Sequence, residues 1–329
     1  MSNNQKRRIV KRKKKRTFKK RALLILTIIS VLFLAVLTYA AYLYVKADSA
    51  FSNAYEDDGS EKSDLRESSV DPKIDNVSIL IMGVDENDHD EEMIGQPVRT
   101  DALMLATLNR ETKSVKMLSI PRDSYVFIPK INDYSKINHA FAYGETQATI
   151  RTVEHLLDIP IDYYFKVNFE AFVEVVDALD GVNVDVPYEF YEQNSHNVLD
   201  AIHLLPGEQE LDGEEALALA RTRKLDNDIE RGKRQQDILK AIVKKSASLG
   251  SILKYDQVIA AVGNNMTTNM KFSEMKSLFT YVTAGADLDI EALTIDGYDY
   301  QPGAVYYWQL DEESLNNATT TLKEHLNIN

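Results

Sequence analysis

No cysteine occurs in the 329 residues. Disulfides, thiolate metal sites and a cysteine nucleophile are thereby excluded, a composition that fits an exported bacterial protein. Several familiar catalytic motifs are also missing. There is no Gly-x-x-x-x-Gly-Lys phosphate loop, no Gly-x-Gly-x-x-Gly, no Gly-x-Ser-x-Gly elbow and no His-Glu-x-x-His. P-loop, dinucleotide-binding, α/β-hydrolase and zincin chemistries are set aside with them. The six histidines are scattered without zinc-ligand spacing. His139, within Lys136-Ile-Asn-His-Ala140, reads as a structural or substrate-rim residue.

Acid is missing from the first 21 residues, which hold 12 Lys/Arg, although the whole chain carries a formal charge of −13. The remainder of the chain has 26 bases against 51 acids, a charge of −25. Charge of either sign is absent from Ala22 to Val45. About 20 apolar residues suffice to cross a bilayer, and this run exceeds the roughly 7–15-residue core of a cleaved signal peptide. An uncleaved signal anchor (22–45) is expected, with a basic cytoplasmic tail (1–21) in front of it. By the positive-inside rule the part after the span lies outside the cell, giving a single-pass type II membrane protein. The basic block orients the span and meets anionic lipid; no nucleic-acid partner is expected. Residues 46–75 lack apolar periodicity and read as a flexible extracellular linker. Residues 76–329 are long enough for one domain with a full core.

Within that domain, Val77–Met82 reads as a buried strand, and Leu103–Leu108 and Val115–Ile120 as two more joined by a turn. Ile150–Leu157 has helical spacing, Tyr163–Val167 is strand-like, Phe169–Leu179 helical and Gly181–Val186 again strand-like. Glu214–Arg221 reads as a short helix, and Asn227 with Glu230 as a capping pair opening a helix to about Leu249. Strands alternating with helices predict an α/β domain, a layered central sheet flanked by helices.

Acids and bases gather at the predicted strand ends, where α/β sheets collect ligand groups. Asp85 follows the first strand, Arg99 and Asp101 precede the second, and Arg122 ends the third. Further on, Arg221, Arg223, Arg231 and Arg234 fall within fourteen residues of an otherwise acidic body. Arginine suits bidentate grip on phosphate or carboxylate oxygens; a solvated, salt-bridged helix face is the competing reading. Asp85 and Asp101 offer hard oxygens for Mg²⁺, and turn or N-cap duty is the alternative for each.

Taken in order, Gly83-x-Asp85, Arg99-Thr-Asp101, Ser119-Ile-Pro-Arg-Asp123, Lys136-Ile-Asn-His-Ala140, Ala220-Arg-Thr-Arg223 and Arg231-x-x-Arg-Gln-Gln236 behind an N-terminal anchor resemble the LytR-CpsA-Psr family. The subgroup attaching wall teichoic acids looks nearest. The resemblance implies a phosphotransferase on the outer membrane face that takes an anionic glycopolymer from an undecaprenyl-pyrophosphate carrier. The polymer would join peptidoglycan by a phosphodiester at the 6-hydroxyl of N-acetylmuramic acid. It further implies Asp85 and Asp101 as ligands of Mg²⁺ (or Mn²⁺), and Arg99, Arg122, Lys136, Arg221, Arg223, Arg231 and Gln235 as pyrophosphate and head-group contacts. Arg122 and Asp101 would stand nearest the reaction, Asp101 as one choice of proton acceptor. One departure stands out: many members have Arg where this chain has Asn87, followed by the acidic stretch 88–92. A lipid pyrophosphatase using water, or a non-catalytic envelope regulator, are the alternatives.

Overall fold

The computed structural model describes residues 2–57, 62–84, 98–225, 227–247, 255–282 and 288–328. The chain divides into Met1–Asp48 and Ser49–Asn329. Helix α1 (Ser2–Ala54) begins in the first part. Its stretch from Lys20 to Ala54 contains a window long and apolar enough to cross a membrane, and none of that window is buried in protein.

The remainder is built on one mixed sheet. Strand β1 (Val77–Val84) lies at its middle, antiparallel to β2 (Thr100–Asn109) and parallel to β6 (Tyr163–Asn168). Beyond β2 come β3 (Ser114–Ser119) and β12 (Asp289–Thr294), and beyond β6 comes β11 (Met266–Thr268), giving the order β11-β6-β1-β2-β3-β12. The unbroken Ile-Leu-Ile-Met run of β1 follows from this central place, since a strand covered on both faces needs apolar residues at successive steps. Leu80, Met82, Leu103, Leu105 and Leu118 pack on one face with Val153 and Leu157 of α2 (His139–Leu157) and Leu322 of α8 (Glu312–Leu326). Ile79, Met104, Ala106 and Met117 face the other way, toward Met275 of α7 (Phe272–Val282) and Leu239 of α5 (Asp228–Ser246).

Smaller pieces surround this frame. The hairpins β4–β5 (Tyr125–Ile128, Asp133–Lys136), β8–β9 (Phe190–Glu192, Ile202–Leu204) and β13–β14 (Gly297–Tyr300, Tyr307–Leu310) stand outside the main sheet. Strand β7 (Val182–Val186) pairs with β10 (Gly207–Leu211). Helices α3 (Phe169–Ala178), α4 (Gly213–Arg221) and α6 (Tyr255–Asn265) complete the domain. The layered α/β class and the strands and helices expected around them are present. Helix α2 starts earlier than its apolar spacing suggested, at His139, and passes Gly144–Glu145 through non-helical backbone.

The linker reading of 46–75 needs correction. Phe51 stacks on Phe272 with ring centroids 5.5 Å apart, and the Glu56 amide donates to the Thr268 carbonyl at 2.8 Å. Arg66 donates through Nε and Nη2 to the two carboxylate oxygens of Asp162, at 2.9 and 2.6 Å, and Ser63 donates to Glu154. Docking through one ring, one backbone amide, one hydroxyl and one guanidinium leaves no apolar periodicity to read.

Two residues, Gly232 and His325, fit α5 and α8 to the sheet. Gly232 presses so close to β3 that a Cβ there would fall 2.3 Å from Ser119 Oγ. His325, buried under α8, meets Thr107 Oγ1 through Nδ1 and Ser114 Oγ through Nε2, both at 2.8 Å. Burial, and after it Lys116, push its imidazole down to about 4, against roughly 6.5 in an unfolded chain. Between these values the unfolded chain binds the extra proton. The contribution of His325 is therefore full above pH 6.5 and is lost as the pH falls through 4. Urea midpoints taken from pH 7.5 downward should decline, and His325→Gln should flatten the decline. An equally steep decline in the variant would remove His325 as its source.

Candidate active site

Between the second face of the sheet and helices α3, α4 and α5 lies a cavity of about 660 Å³. Its body is apolar: Ile81 and Met104 from the sheet, Phe172 and Val175 from α3, and Ile238 and Ile242 from α5. Its polar end gathers Asp101, Arg122, Arg221, Arg223, Arg231 and Gln235. The ends of β1 and β6 and the start of β2 meet here, which is where the sheet changes from parallel to antiparallel pairing.

The local chain accounts for each position. Asn168, the last residue of β6, caps α3 by accepting from the Ala171 amide at 2.8 Å, so Phe169 is turned into the cavity. Asp212 and Glu215 form a capping box that starts α4, whose far end carries Arg221. The Arg221 guanidinium lies over the Phe169 ring, 4.7 Å from its centroid. Helix α5 opens with Asn227 accepting from the amides of Ile229 and Glu230, at 3.0 and 3.1 Å. One turn later Arg231 points inward while Arg234 turns away, donating to the carbonyls of Leu219 and Thr222. Gln235 lines the cavity and donates to the Ala220 carbonyl at 3.1 Å; Gln236 donates to the carbonyls of Met117 and Leu293, both at 2.9 Å. The Arg-x-x-Arg-Gln-Gln stretch thus mixes a site cation with residues that lash α5 to α4 and the sheet.

Charge is unevenly matched. Arg122 pairs with Asp101, and Asp228 Oδ1 is shared by Arg231 at 3.2 Å and Arg223 at 3.3 Å. Arg122 Nε, Arg221 Nη1 and Arg231 Nε are buried without a hydrogen-bond partner. Buried donors of this strength are costly unless satisfied, and an anion with several oxygens would satisfy them. Burial lowers the Arg231 guanidinium to about 10, with Asp228 opposing, so it stays charged at neutral pH.

Of the other expected site residues, Asp85 and Asn87 lie outside the described residues. Asp101 presents a hard carboxylate oxygen donor at the polar end, 35 % exposed. Such a donor fits an octahedral cation that takes one or two carboxylates and completes its shell with phosphate oxygens and water. Among the described residues no group of three or more His, Cys, Asp or Glu could hold a metal by itself. Arg99 is exposed and Lys136 pairs with Asp123 at 2.8 Å; neither lines this cavity. Both stand near His139, whose imidazole is lowered first by burial and then by these two cations. The N-terminus of α5, at Asn227 and Asp228, borders a neighbouring cavity.

Residues 41–324 match the sequence profile of the LytR_cpsA_psr family. The chain belongs to the LytR_cpsA_psr family. The polyisoprenyl-teichoic acid–peptidoglycan teichoic acid transferase TagT of Bacillus subtilis (strain 168) is 40 % identical over 290 residues, 88 % of this chain and 89 % of the relative. A solved structure described as TagT bound to LIIa-WTA aligns with a TM-score of 0.70 at 39 % identity, covering 82 % of this chain and 98 % of that one. Another, described as the LytR-CPS2A-psr family protein YwtF (TagT) with bound octaprenyl pyrophosphate lipid, aligns with a TM-score of 0.66 at 37 % identity, covering 82 % and 98 %. The LytR_cpsA_psr match spans the cavity and all of its arginines. Asp228 was not singled out from the sequence; its place one turn before Arg231 on a predicted helix was the signal available.

Proposed function

We propose that this chain is a phosphotransferase that moves a teichoic-acid-type glycopolymer from a polyprenyl-pyrophosphate carrier to peptidoglycan during cell wall assembly. The observation that carries this reading is the joining of an apolar cavity body to a cationic end in one cavity. A polyprenyl chain fits the first and a pyrophosphate the second, whereas a water-soluble phosphate ester would have no use for the apolar part. The relatives' names and the octaprenyl pyrophosphate in one of them support the same substrate class.

The donor's leaving group is already a phosphate, so no protein nucleophile is required, and catalysis can rest on positioning and charge neutralisation. Arg122, Arg221, Arg223 and Arg231 hold the phosphate oxygens, and Gln235 borders them. Asp101 orients Arg122 and is the carboxylate available to accept the proton of the attacking hydroxyl. Asp101, together with Asp85, would hold Mg²⁺ (or Mn²⁺), which supplies further neutralisation of phosphate charge when bound. Arg99 and Lys136 belong to the outer rim of this reading, where they would meet the polymer's first charged groups.

The test uses the full chain in detergent with a polyprenyl-pyrophosphate-linked teichoic acid precursor and peptidoglycan. Polymer bound to peptidoglycan and released polyprenyl phosphate are the expected products. Free polymer phosphate alone would mean a pyrophosphatase, and no turnover of the lipid would mean a binding protein.

The same reading places the chain in the cytoplasmic membrane through 22–45, with 1–21 inside and 76–329 outside. Protease added to intact protoplasts should remove the domain and leave the N-terminus protected. Protection of the domain would overturn the orientation.

A further inference from the structure

A second cavity, of about 450 Å³, adjoins the first and is lined by Asp123, Arg223, Asn227, Asp228, Tyr306 and Trp308, with Ile229. Arg223 borders both cavities. Asp228 joins them as well, since its Oδ1 faces Arg223 and Arg231 while its Oδ2 is buried without a partner. Whatever occupies the second cavity therefore stands beside the phosphates held in the first.

The aromatic walls are held in place. The Trp308 amide donates to the Asp123 carbonyl at 2.9 Å, which ties β14 to the turn carrying Arg122. Its indole rests on β13 at Gly297, where a Cβ would lie 2.4 Å from Nε1. Tyr306 donates to Asp299 at 2.9 Å, and Lys136 stands 5.7 Å from the Tyr306 ring centroid while pairing with Asp123. The face of the β13–β14 hairpin opposite Trp308 carries a run of tyrosines: Tyr307 meets Tyr125 at 4.8 Å between centroids, and Tyr125 meets Tyr300 and Tyr134 at 5.3 Å each. Tyr134 and Tyr298 are more than half exposed.

Flat aromatic faces beside carboxylates suit a ligand with apolar C–H faces and many hydroxyl donors. The unpartnered Asp228 Oδ2 can accept from a hydroxyl but not from a phosphate oxygen, and the two aromatic walls suit a sugar ring. We infer that this cavity is the acceptor subsite, which binds a sugar of the glycan strand between Tyr306 and Trp308 and presents one of its hydroxyls to the donor. The inference rests on the proposed transferase activity. In the step it serves, the acceptor hydroxyl oxygen forms a bond to the polymer-bearing phosphorus while the bridging P–O bond breaks. The bridging oxygen keeps the electron pair and leaves as polyprenyl phosphate; the hydroxyl proton passes to a carboxylate of the site and then to water.

Trp308 is the single tryptophan of the chain, so its emission reports this subsite alone. Titrating peptidoglycan glycan oligosaccharides into the full chain in detergent should change that emission saturably; dextran should not. Tyr306→Ala should raise the acceptor KM about tenfold, the loss of one aromatic stack, with kcat and the Kd for a polyprenyl pyrophosphate unchanged. Tyr306→Phe, which keeps the ring, should retain the wild-type acceptor KM. The inference is overturned if emission stays flat at acceptor concentrations that saturate transfer, or if Tyr306→Ala leaves the acceptor KM unchanged. Failure of the transferase reading looks different: the polyprenyl pyrophosphate would not bind, whatever the emission does.

Discussion

Arg221→Ala is expected to lower polymer transfer by about 10²–10³-fold, the range for removing one preorganised donor from a developing anion. Arg221 makes no ion pair among the described residues, so its removal strands no buried carboxylate. What the fold loses is the contact with the Phe169 ring, 4.7 Å away, worth about 0.5–2 kcal/mol. Activity should therefore fall far more than stability. Arg231→Lys separates charge from shape. A lysine keeps the cation, and with it most of the attraction to Asp228, but lacks the planar fork, so transfer should recover only in part. Arg151→Ala, on the exposed side of α2, should leave transfer unchanged. Full transfer by both arginine variants would reduce the cluster to a salt-bridged wall and withdraw its assignment to phosphate.

Asp101→Asn is expected to cost at least about 10²-fold in transfer. The substitution keeps size and can still accept from Arg122, so the fold and the position of that guanidinium should persist. Only the carboxylate charge is removed. If Asp101 holds a divalent cation, the residual rate should no longer respond to added Mg²⁺ or Mn²⁺, and chelation should bring the wild type down to a similar level. A wild type indifferent to chelator, with Asp101→Asn still inactive, would leave Asp101 as proton acceptor and partner of Arg122 and take the metal out of the scheme.

The regular parts of this fold were legible because they obey simple periodicities. The apolar run of β1, the helical spacing of α3 and the Asn227 cap of α5 each state their structure locally. The arginines were legible as a group because cations are scarce in an acidic body. Their division of labour was not. Arg231 and Arg234 differ by three positions on one helix, yet one reaches the cavity and the other binds the carbonyls at the end of α4. Which of them faces which neighbour depends on the crossing of α4 and α5, and no spacing encodes that. Lys136 likewise sits in a suggestive sequence, but the hairpin β4–β5 turns it toward Asp123. The four-residue strands of β13–β14 carry too short a pattern to read. So the tyrosines and Trp308 went unnoticed in a C-terminal region whose importance comes from a tertiary contact with the Arg122 turn.

The side chains of Arg234, Gln235 and Gln236 all donate to main-chain carbonyls, on α4, β3 and β12. One helix turn thereby holds the end of another helix and two neighbouring strands of the sheet. The two Gln236 bonds reach strands 119 and 57 residues away in the chain, and releasing any of these side chains takes a partner from a main-chain carbonyl. Local fraying of α4 is coupled to the separation of α5 from the sheet edge, and amide exchange in these elements would proceed as one slow event instead of several fast ones. The cations at the polar end thus keep their spacing for as long as that edge of the sheet stays closed.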